Sequence, residues 1–184
     1  VVIAGGLNSL SGASIFDGFT ITKGNANVGG SISVSGVTIQ QTNGGGLVNA
    51  NCTYSPTNLI IESNNATTEG GGVYSNSNGT ITFSNSILRS NSAGAGGGMY
   101  TTATNTFFTN CMFSFNSGSA INSFPYGYYN VNKCSFIYNT GNNGGAIGIR
   151  KASAIVTNSV FIGNSATNGG AIYCYVESNE TSAD

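Results

Sequence analysis

The sequence predicts an all-β fold, a single right-handed parallel β-helix of about six coils that carries a small insertion early in the chain. Three observations predict this fold. A short motif recurs at a nearly constant spacing, apolar residues alternate within the motif, and a glycine-rich segment follows it. Together they describe one strand, one corner and one turn into the next strand, repeated along the chain.

The repeat is marked by an asparagine that closes each copy of the motif. The copies end at Asn25, Asn64, Asn91, Asn116, Asn139 and Asn164. From Asn64 onward the spacings are 27, 25, 23 and 25 residues. A period in this range indicates supersecondary units that bury their apolar faces only by stacking on their neighbours. Because like residues lie above like in such a stack, we expect these six side chains to form a hydrogen-bonded ladder.

The residues before each asparagine have the period of a β-strand. A large apolar residue lies three positions before the asparagine, and a small or apolar residue lies two positions earlier still. The first set is Ile61, Leu88, Phe113, Phe136 and Phe161, and the second is Leu59, Ser86, Cys111, Cys134 and Ser159. A period of two indicates a strand with one face inward. No window carries the apolar stripe of a helix, and Gly and Asn interrupt every segment, so the units are β.

A glycine-rich segment follows the motif and leads the chain into the next strand. Such segments occupy residues 70–73, 96–99, 144–147 and 169–172. Glycine permits a positive φ and close backbone approach, as a turn requires. About 25 residues per unit hold two or three short strands, which is too few for a propeller blade. The remaining solution is a parallel β-helix with coils about 4.8 Å apart, which we expect to be right-handed as parallel crossovers are.

Residues 26–43 interrupt the period and form the predicted insertion, since 39 residues separate Asn25 from Asn64. Two alternating apolar runs flank a single glycine there. This pattern indicates a small β excursion from the wall, or else a loop that shields the core or forms an irregular coil. If it is an excursion, its apolar side chains are a candidate partner-binding surface. They are Ile32, Val34, Val37 and Ile39.

A second candidate surface is the aromatic segment at residues 123–130. Its candidate contact residues are Phe124, Tyr126, Tyr128 and Tyr129. Exposed aromatic side chains are effective contact residues. Neighbouring columns of this coil face are apolar as well, so packing in the core is the alternative interpretation.

Cys111 and Cys134 are predicted to fall in one inward column of adjacent coils. Their Cα atoms should lie about 5 Å apart, within disulfide range, but parallel stacking points both Cβ atoms the same way. The sequence is compatible with a free stacked pair and with a strained bridge.

Charged residues make up only 6% of the chain, as expected where identical charges in a stack would repel. Lys23, Glu62 and Arg89 are predicted to share one outward position. Glu62 and Arg89 would lie in adjacent coils and form a weak surface ion pair.

Composition argues against several classes of function. The net charge is −1 without a basic cluster, so we expect no nucleic-acid binding. No apolar run approaches about 18 residues, so we expect no membrane span. His is absent, so we expect no catalytic site, metal site or cofactor. Glu62 and Glu69 are the only acids that could lie close together, which is a weak basis for glycoside hydrolysis.

The motifs also resemble those of a known family. Residues 144–147 and 169–172 read Gly-Gly-Ala-Ile, and Phe113, Phe136 and Phe161 each precede a closing asparagine by three positions. These paired motifs resemble the GGA[ILV] and FxxN repeats of bacterial polymorphic outer-membrane proteins. The wider pattern, including residues 17–22, is similar to β-helix repeats of large secreted bacterial surface proteins. The resemblance implies an autotransporter-like passenger that is exported to the cell surface and often acts as an adhesin.

Residues 1–184 are therefore expected to be one β-helix domain, a segment of a larger protein. We expect a non-catalytic, secreted or cell-surface module that acts in adhesion or as a structural component of a surface assembly. Its expected partners are other coils or domains of the same chain, or a protein or glycan at the surface. The alternative is a carbohydrate-active enzyme of the polysaccharide lyase or hydrolase kind, and an ice-binding protein is a third interpretation.

Overall fold

Parallel β coils stack throughout the part of the chain that the computed structural model describes. The described residues are 2–5, 14–34, 36–76, 79–102, 105–125 and 127–175. All regular secondary structure in these residues is β-strand. One hairpin is the only antiparallel pair among them. The predicted β-helix is confirmed, because each coil visits three walls in turn and each wall is a parallel sheet built from successive coils.

Three long parallel sheets form the walls. The first sheet contains Val2–Gly5, Leu47–Ala50, Val73–Asn76, Met99–Thr101, Ile121–Ser123, Ile147–Arg150 and Ile172–Tyr175. The second sheet contains Ser14–Asp17, Tyr54–Thr57, Thr80–Ser84, Asn105–Thr109, Tyr128–Asn132 and Ser153–Thr157. The third sheet contains Thr20–Thr22, Ile60–Glu62, Ile87–Arg89, Met112–Ser114, Ser135–Ile137 and Val160–Ile162. Two short parallel pairs follow the third sheet, Asn25–Ala26 with Asn65–Ala66 and Thr140–Asn143 with Ser165–Asn168.

The coil makes about five turns, one fewer than the sequence predicts. The second and third sheets each have six strands, which enclose five turns, and the first sheet has a seventh strand because the described part of the chain begins and ends in it. Counting the closing asparagines counts strands rather than the intervals between them, so it gives one turn too many.

Inward side chains of the three sheets form one continuous core. On the third sheet, the rings of Phe113, Phe136 and Phe161 stack with centroid separations of 4.9 and 4.8 Å. The register aligns Ile61 with Leu88 and Leu88 with Phe113, as the inward column predicts. All of these side chains but Phe161 are fully buried. Burial of this apolar surface is the main favourable term in folding.

The asparagine ladder runs along one corner of the core. In Asn91, both the backbone N–H and the side-chain amide donate to Oδ1 of Asn116, at 3.1 and 3.2 Å. The same amide donates to the carbonyl of Ile61 in the preceding coil, at 2.8 Å. The corresponding bonds are made by Asn64, Asn116 and Asn139. The side chains therefore satisfy buried backbone groups at a corner where the strands end.

Asn25 does not belong to this ladder, which corrects the prediction. Asn25 aligns with Asn65 and accepts a bond from its side-chain amide at 3.2 Å, in an exposed position. Gly24 occupies the ladder position and donates its N–H to Oδ1 of Asn64, at 2.8 Å. The first copy has one extra residue between its inward isoleucine and its asparagine. A Cβ at position 24 would lie 1.9 Å from the Gly45 carbonyl oxygen, so a side chain there would clash.

The same offset removes Lys23 from the predicted charge column. Thr22 aligns with Glu62, and Glu62 aligns with Arg89. The predicted ion pair is present, since Arg89 Nη2 lies 2.6 Å from Glu62 Oε2. Both side chains are partly exposed, so the pair contributes little to stability.

Cys111 and Cys134 are free thiols at aligned positions of adjacent coils. Contact with the Cys134 thiol and burial both raise the pKa of Cys111. Each thiol also donates to a carbonyl two residues before it, that of Thr109 or that of Asn132, at 3.4 Å. Both cysteines therefore serve as small buried residues rather than as a disulfide.

Two corners of the coil are turned by single residues with a positive φ. Between the second and third sheets these are Gly18, Asn58, Asn85, Asn110, Lys133 and Asn158. After the third sheet they are Lys23, Ser63, Ser90, Phe115, Tyr138 and Gly163, which we name the corner column. The left-handed region suits Gly and Asn and disfavours bulky side chains. The two aromatic members of the corner column are therefore unusual for their backbone conformation.

Candidate functional site

The predicted insertion is a β-hairpin that packs on the outside of the first sheet. Its strands, Ser31–Val34 and Val37–Gln40, pair antiparallel, with Ile32 opposite Ile39. The alternating runs on either side of a glycine thus form an excursion from the wall, as one of the two interpretations predicts.

The limits of the excursion differ slightly from the prediction. Ala26 still belongs to the wall, because it pairs with Ala66 of the next coil. The wall is rejoined at Thr42, whose carbonyl accepts a backbone N–H from that coil. The hairpin segment is therefore 27–41 rather than 26–43.

The hairpin covers an apolar cluster on the outer face of the first sheet. The buried members are Ile39, Val48, Ala50, Tyr74 and Tyr100, and the partly buried members are Ile32, Val37, Ala95 and Phe124. Ile39 is only 2% exposed, which corrects the prediction that it contacts a partner. Ile32 and Val37 are half-buried and keep part of their surface accessible. Val34 lies in the hairpin, but its side chain is outside the described part of the chain.

The predicted aromatic segment divides between two walls. Phe124 joins the outer cluster of the first sheet, with the Arg150 guanidinium 4.4 Å from its ring centroid. Tyr128 lies on the outside of the second sheet, with its ring centroid 6.1 Å from that of Phe107. Tyr129 is 3% exposed, which corrects its assignment as a contact residue, because neighbouring residues on a strand face opposite ways. Tyr126 lies outside the described residues.

A carboxylate occupies the polar edge of the outer cluster. Asn43 Nδ2 donates to Glu69 Oε2 at 3.1 Å, and the Tyr100 hydroxyl hydrogen-bonds to the same carboxylate. The rings of Tyr74 and Tyr100 stack beside it, with centroids 5.9 Å apart and planes 7° from parallel. Three successive coils therefore meet at a single acidic group.

Burial is the main cause of the raised pKa values of the titratable groups at this site. Burial raises the pKa of Glu69, and hydrogen bonds from Tyr100 and Asn43 partly offset the rise. Burial, followed by the charge of Glu69, raises the pKa of Tyr74 and of Tyr100. Both tyrosines are therefore neutral hydroxyl groups at physiological pH, able to donate to Glu69 or to a ligand.

A groove of about 200 Å³ lies between the hairpin and the wall. Its apolar lining is Ala26, Val28, Ile32, Ile39 and Val48, and its amide lining is Asn25, Gln40, Gln41 and Asn43. Apolar walls with a few amide groups suit an uncharged ligand or an extended peptide.

Glu62 and Glu69 do not share a site. Glu62 is bound to Arg89 on the outside of the third sheet, whereas Glu69 is held by Asn43 and Tyr100 beside the first sheet. The two carboxylates thus lack the paired arrangement that glycoside hydrolysis requires.

Among the described residues, no three His, Cys, Asp or Glu side chains come together in a group that could hold a metal ion. They also include no helix of the length and apolar character needed to cross a membrane.

The sequence contained a signal for the tyrosine pair that the repeat pattern obscured. Tyr74 and Tyr100 each follow a glycine run and one inward hydrophobe. A residue next to an inward position points outward, so the two copies predict an outward tyrosine column. The repeat pattern does not indicate that the hairpin covers this column. It also does not indicate that Tyr100 contacts Glu69.

Comparison with known proteins adds no family assignment. No protein-family model matches the chain, and no curated protein or solved structure matches it either. Its functional interpretation therefore rests on the residues and their geometry.

Replacing Glu69 with glutamine should change how stability depends on pH. The pKa of Glu69 is raised above 4.5 in the folded state, so its protonated form favours folding. This contribution is complete below the unfolded pKa and disappears as pH rises through the folded pKa. Urea denaturation at a series of pH values should show the stability of the natural chain falling, relative to Glu69→Gln, across that interval.

A second substitution tests the cause of that pH dependence. Asn43→Ser removes a hydrogen bond that lowers the pKa of Glu69, so the interval should extend to higher pH. Identical pH profiles for the natural chain and Glu69→Gln would contradict the assignment of a raised pKa.

Proposed function

We propose that this chain is a non-catalytic β-helix module of an extracellular or cell-surface protein, acting in adhesion or as a structural part of a surface assembly. The observation that carries this proposal is the hairpin on the outer face of the first sheet. It leaves the repeat and is fixed to a rigid wall by Ile39, Val48 and Tyr74. Insertions on repeat scaffolds are common positions for binding surfaces.

The chemistry around the hairpin supports contact with an uncharged surface. Val28 is 62% exposed at the groove, and Gln40 and Gln41 add amide groups beside it. The chain has five basic and six acidic residues, so long-range charge steering contributes little. Binding through this face should therefore depend on close contact with a protein or glycan partner.

Excising residues 27–41, with Ala26 joined to Thr42, should preserve the coil stack and weaken adhesion. The two joined residues belong to the wall, and the hairpin packs only on its outside. Beads coated with the chain would be tested under flow on immobilised matrix proteins and cultured cells. We expect adherence to fall by about fivefold or more, and to change little with ionic strength.

Two single substitutions serve as controls for the excision, which also uncovers Val48 and Tyr74. Val28→Ser leaves the hairpin in place and should weaken adherence in the same direction. Ile155→Ser changes a side chain that is 47% exposed on the second sheet, and should have no effect. Unchanged adherence after excision, with the coils still folded, would remove the hairpin from the proposal.

Glu69 favours a second candidate function, that of a polysaccharide lyase. A carboxyl group whose pKa is raised by burial, beside two tyrosine hydroxyls, has the character of a general acid. Cleavage of a polysaccharide by the natural chain, abolished by Glu69→Gln, would establish this function in place of the first.

A further inference from the structure

Two exposed aromatic rings lie in the corner column, after the third sheet. Phe115 is 59% exposed and Tyr138 is 53% exposed, with φ values of 55° and 52°. Ser63 and Ser90 occupy the same column with φ values of 55° and 54°. The corner therefore requires the left-handed conformation, but it does not require an aromatic side chain.

The stack leaves one aromatic face open. The rings of Phe115 and Tyr138 lie 5.6 Å apart at 24°. Tyr138 lies directly over Gly163 of the following coil, where an added Cβ would be 2.3 Å from Tyr138 Cε1. One face of Tyr138 is thus covered by Phe115, and one edge of its ring lies over the backbone of Gly163. The second face of Phe115 is turned toward the coil of Ser90, whose small side chain leaves space above it.

A polar groove of about 270 Å³ begins two residues farther along the same coils. It is lined by Ala93, Gly94, Ser117, Gly118, Thr140, Gly141 and Asn142. Ser117 follows Phe115 by two residues, which places their Cα atoms within about 7 Å. The side chains of Ser117, Thr140 and Asn142 are exposed, and none hydrogen-bonds to another described residue. The groove therefore offers free hydroxyl and amide groups beside the open ring.

The charged side chains next to this corner form a neutral pair. Arg89, the residue before Ser90, is paired with Glu62 at 2.6 Å. The groove itself is lined without a charged side chain. A ligand that fits must have an apolar face for the ring and neutral hydrogen-bonding groups for the groove.

We propose that the corner column and its groove bind a neutral glycan. A pyranose ring has the required chemistry, with C–H groups on one face and hydroxyls around its edge. Its C–H face would lie on the open, electron-rich face of Phe115, above Ser90. Its hydroxyls would bond to Ser117 and neighbouring backbone groups, and a further sugar unit of the same glycan would reach Thr140 in the coil of Tyr138. This inference rests on the proposed adhesion function and adds a second binding surface, separate from the hairpin, together with the class of its ligand.

The test uses two substitutions next to the space above Phe115. One removes the aromatic ring below that space, and the other fills the space. Phe115→Ser removes the ring, and Ser90→Phe extends the stack into the space above it. Both should fold, because the corner column already holds Ser and Phe at nearly the same φ. Ile155→Ser is the control for loss of an exposed apolar side chain.

The probes are neutral oligosaccharides of glucan, xylan, mannan and chitin, titrated up to about 10 mM with detection by saturation-transfer NMR and calorimetry. We expect the natural chain and Ile155→Ser to bind at least one of them, and both corner variants to bind it at least about tenfold more weakly. Binding by none of the probes, or equal binding by all four proteins, would overturn the proposal. Self-association of the natural chain that Phe115→Ser abolishes would also overturn it, by assigning the rings to a protein interface.

The adhesion assay on the same variants separates this proposal from the one it rests on. If the natural chain binds an oligosaccharide through Phe115 but its beads do not adhere, the glycan site is supported and the adhesion function fails. If beads adhere equally with Phe115→Ser and no probe binds, adhesion is supported and the glycan site fails.

Discussion

Replacing Phe136 with alanine is expected to lower the free energy of unfolding by about 3 to 5 kcal/mol. Phe136 is fully buried, and its ring lies between those of Phe113 and Phe161, at 4.9 and 4.8 Å. Alanine would leave a cavity inside a stack that backbone hydrogen bonds hold at fixed spacing, so neighbouring rings could not close it. Urea denaturation followed by circular dichroism measures the change.

Arg89→Ala is the control for this substitution. Its partly exposed ion pair with Glu62 lies on the outside of the same sheet, so the change should stay within about 0.5 to 1 kcal/mol. Equal losses for Phe136→Ala and Arg89→Ala would mean that the inward and outward faces of the third sheet are assigned wrongly.

Replacing Asn116 with alanine should cost about 3 kcal/mol or more. Asn116 Oδ1 accepts the backbone and side-chain N–H groups of Asn91, and Asn116 Nδ2 donates to Leu88 and Asn139. Alanine would leave several buried partners without hydrogen bonds, at about 1 to 3 kcal/mol for each unsatisfied group before relaxation. The same denaturation experiment measures the loss.

Asn65→Ala provides a matched asparagine outside the ladder. Its side chain bonds to Asn25 in an exposed position where water can replace the lost partner, so the cost should be below about 1 kcal/mol. A loss for Asn116→Ala as small as that for Asn65→Ala would show that the ladder contributes no more than a surface contact.

Much of the fold could be predicted because the same sequence pattern recurs in several copies of the repeat. The inward column from Ile61 to Phe161 and the ladder from Asn64 to Asn164 each recur in five copies, so an error in one copy is corrected by the others. The first copy precedes a long insertion and has one extra residue, Gly24. Motif matching alone aligned Asn25 with the ladder, whereas strand pairing and the space available to Gly24 decide the register.

The surfaces were less predictable, because they depend on contacts that occur once. Alternating apolar residues identified the hairpin and its apolar face, but the alternation does not indicate whether that face contacts the wall or a partner. Packing against Val48 and Tyr74 decides that Ile39 is buried. Phe115 and Tyr138 were equally hard to recognise, because they occupy a variable position of the repeat. Their exposure follows from a corner whose backbone conformation the sequence does not state.

The nearest-neighbour stacking of the coils determines how the protein would respond to tension. Within the described residues, each coil pairs only with the coil before it and the coil after it, so a load applied at one end is resisted by one interface at a time. A released coil of 23 to 27 residues extends to about 80 Å, while it occupied about 4.8 Å of the stack. A tether built this way lengthens in discrete steps and dissipates work at each one, while the coils not yet released keep their shape.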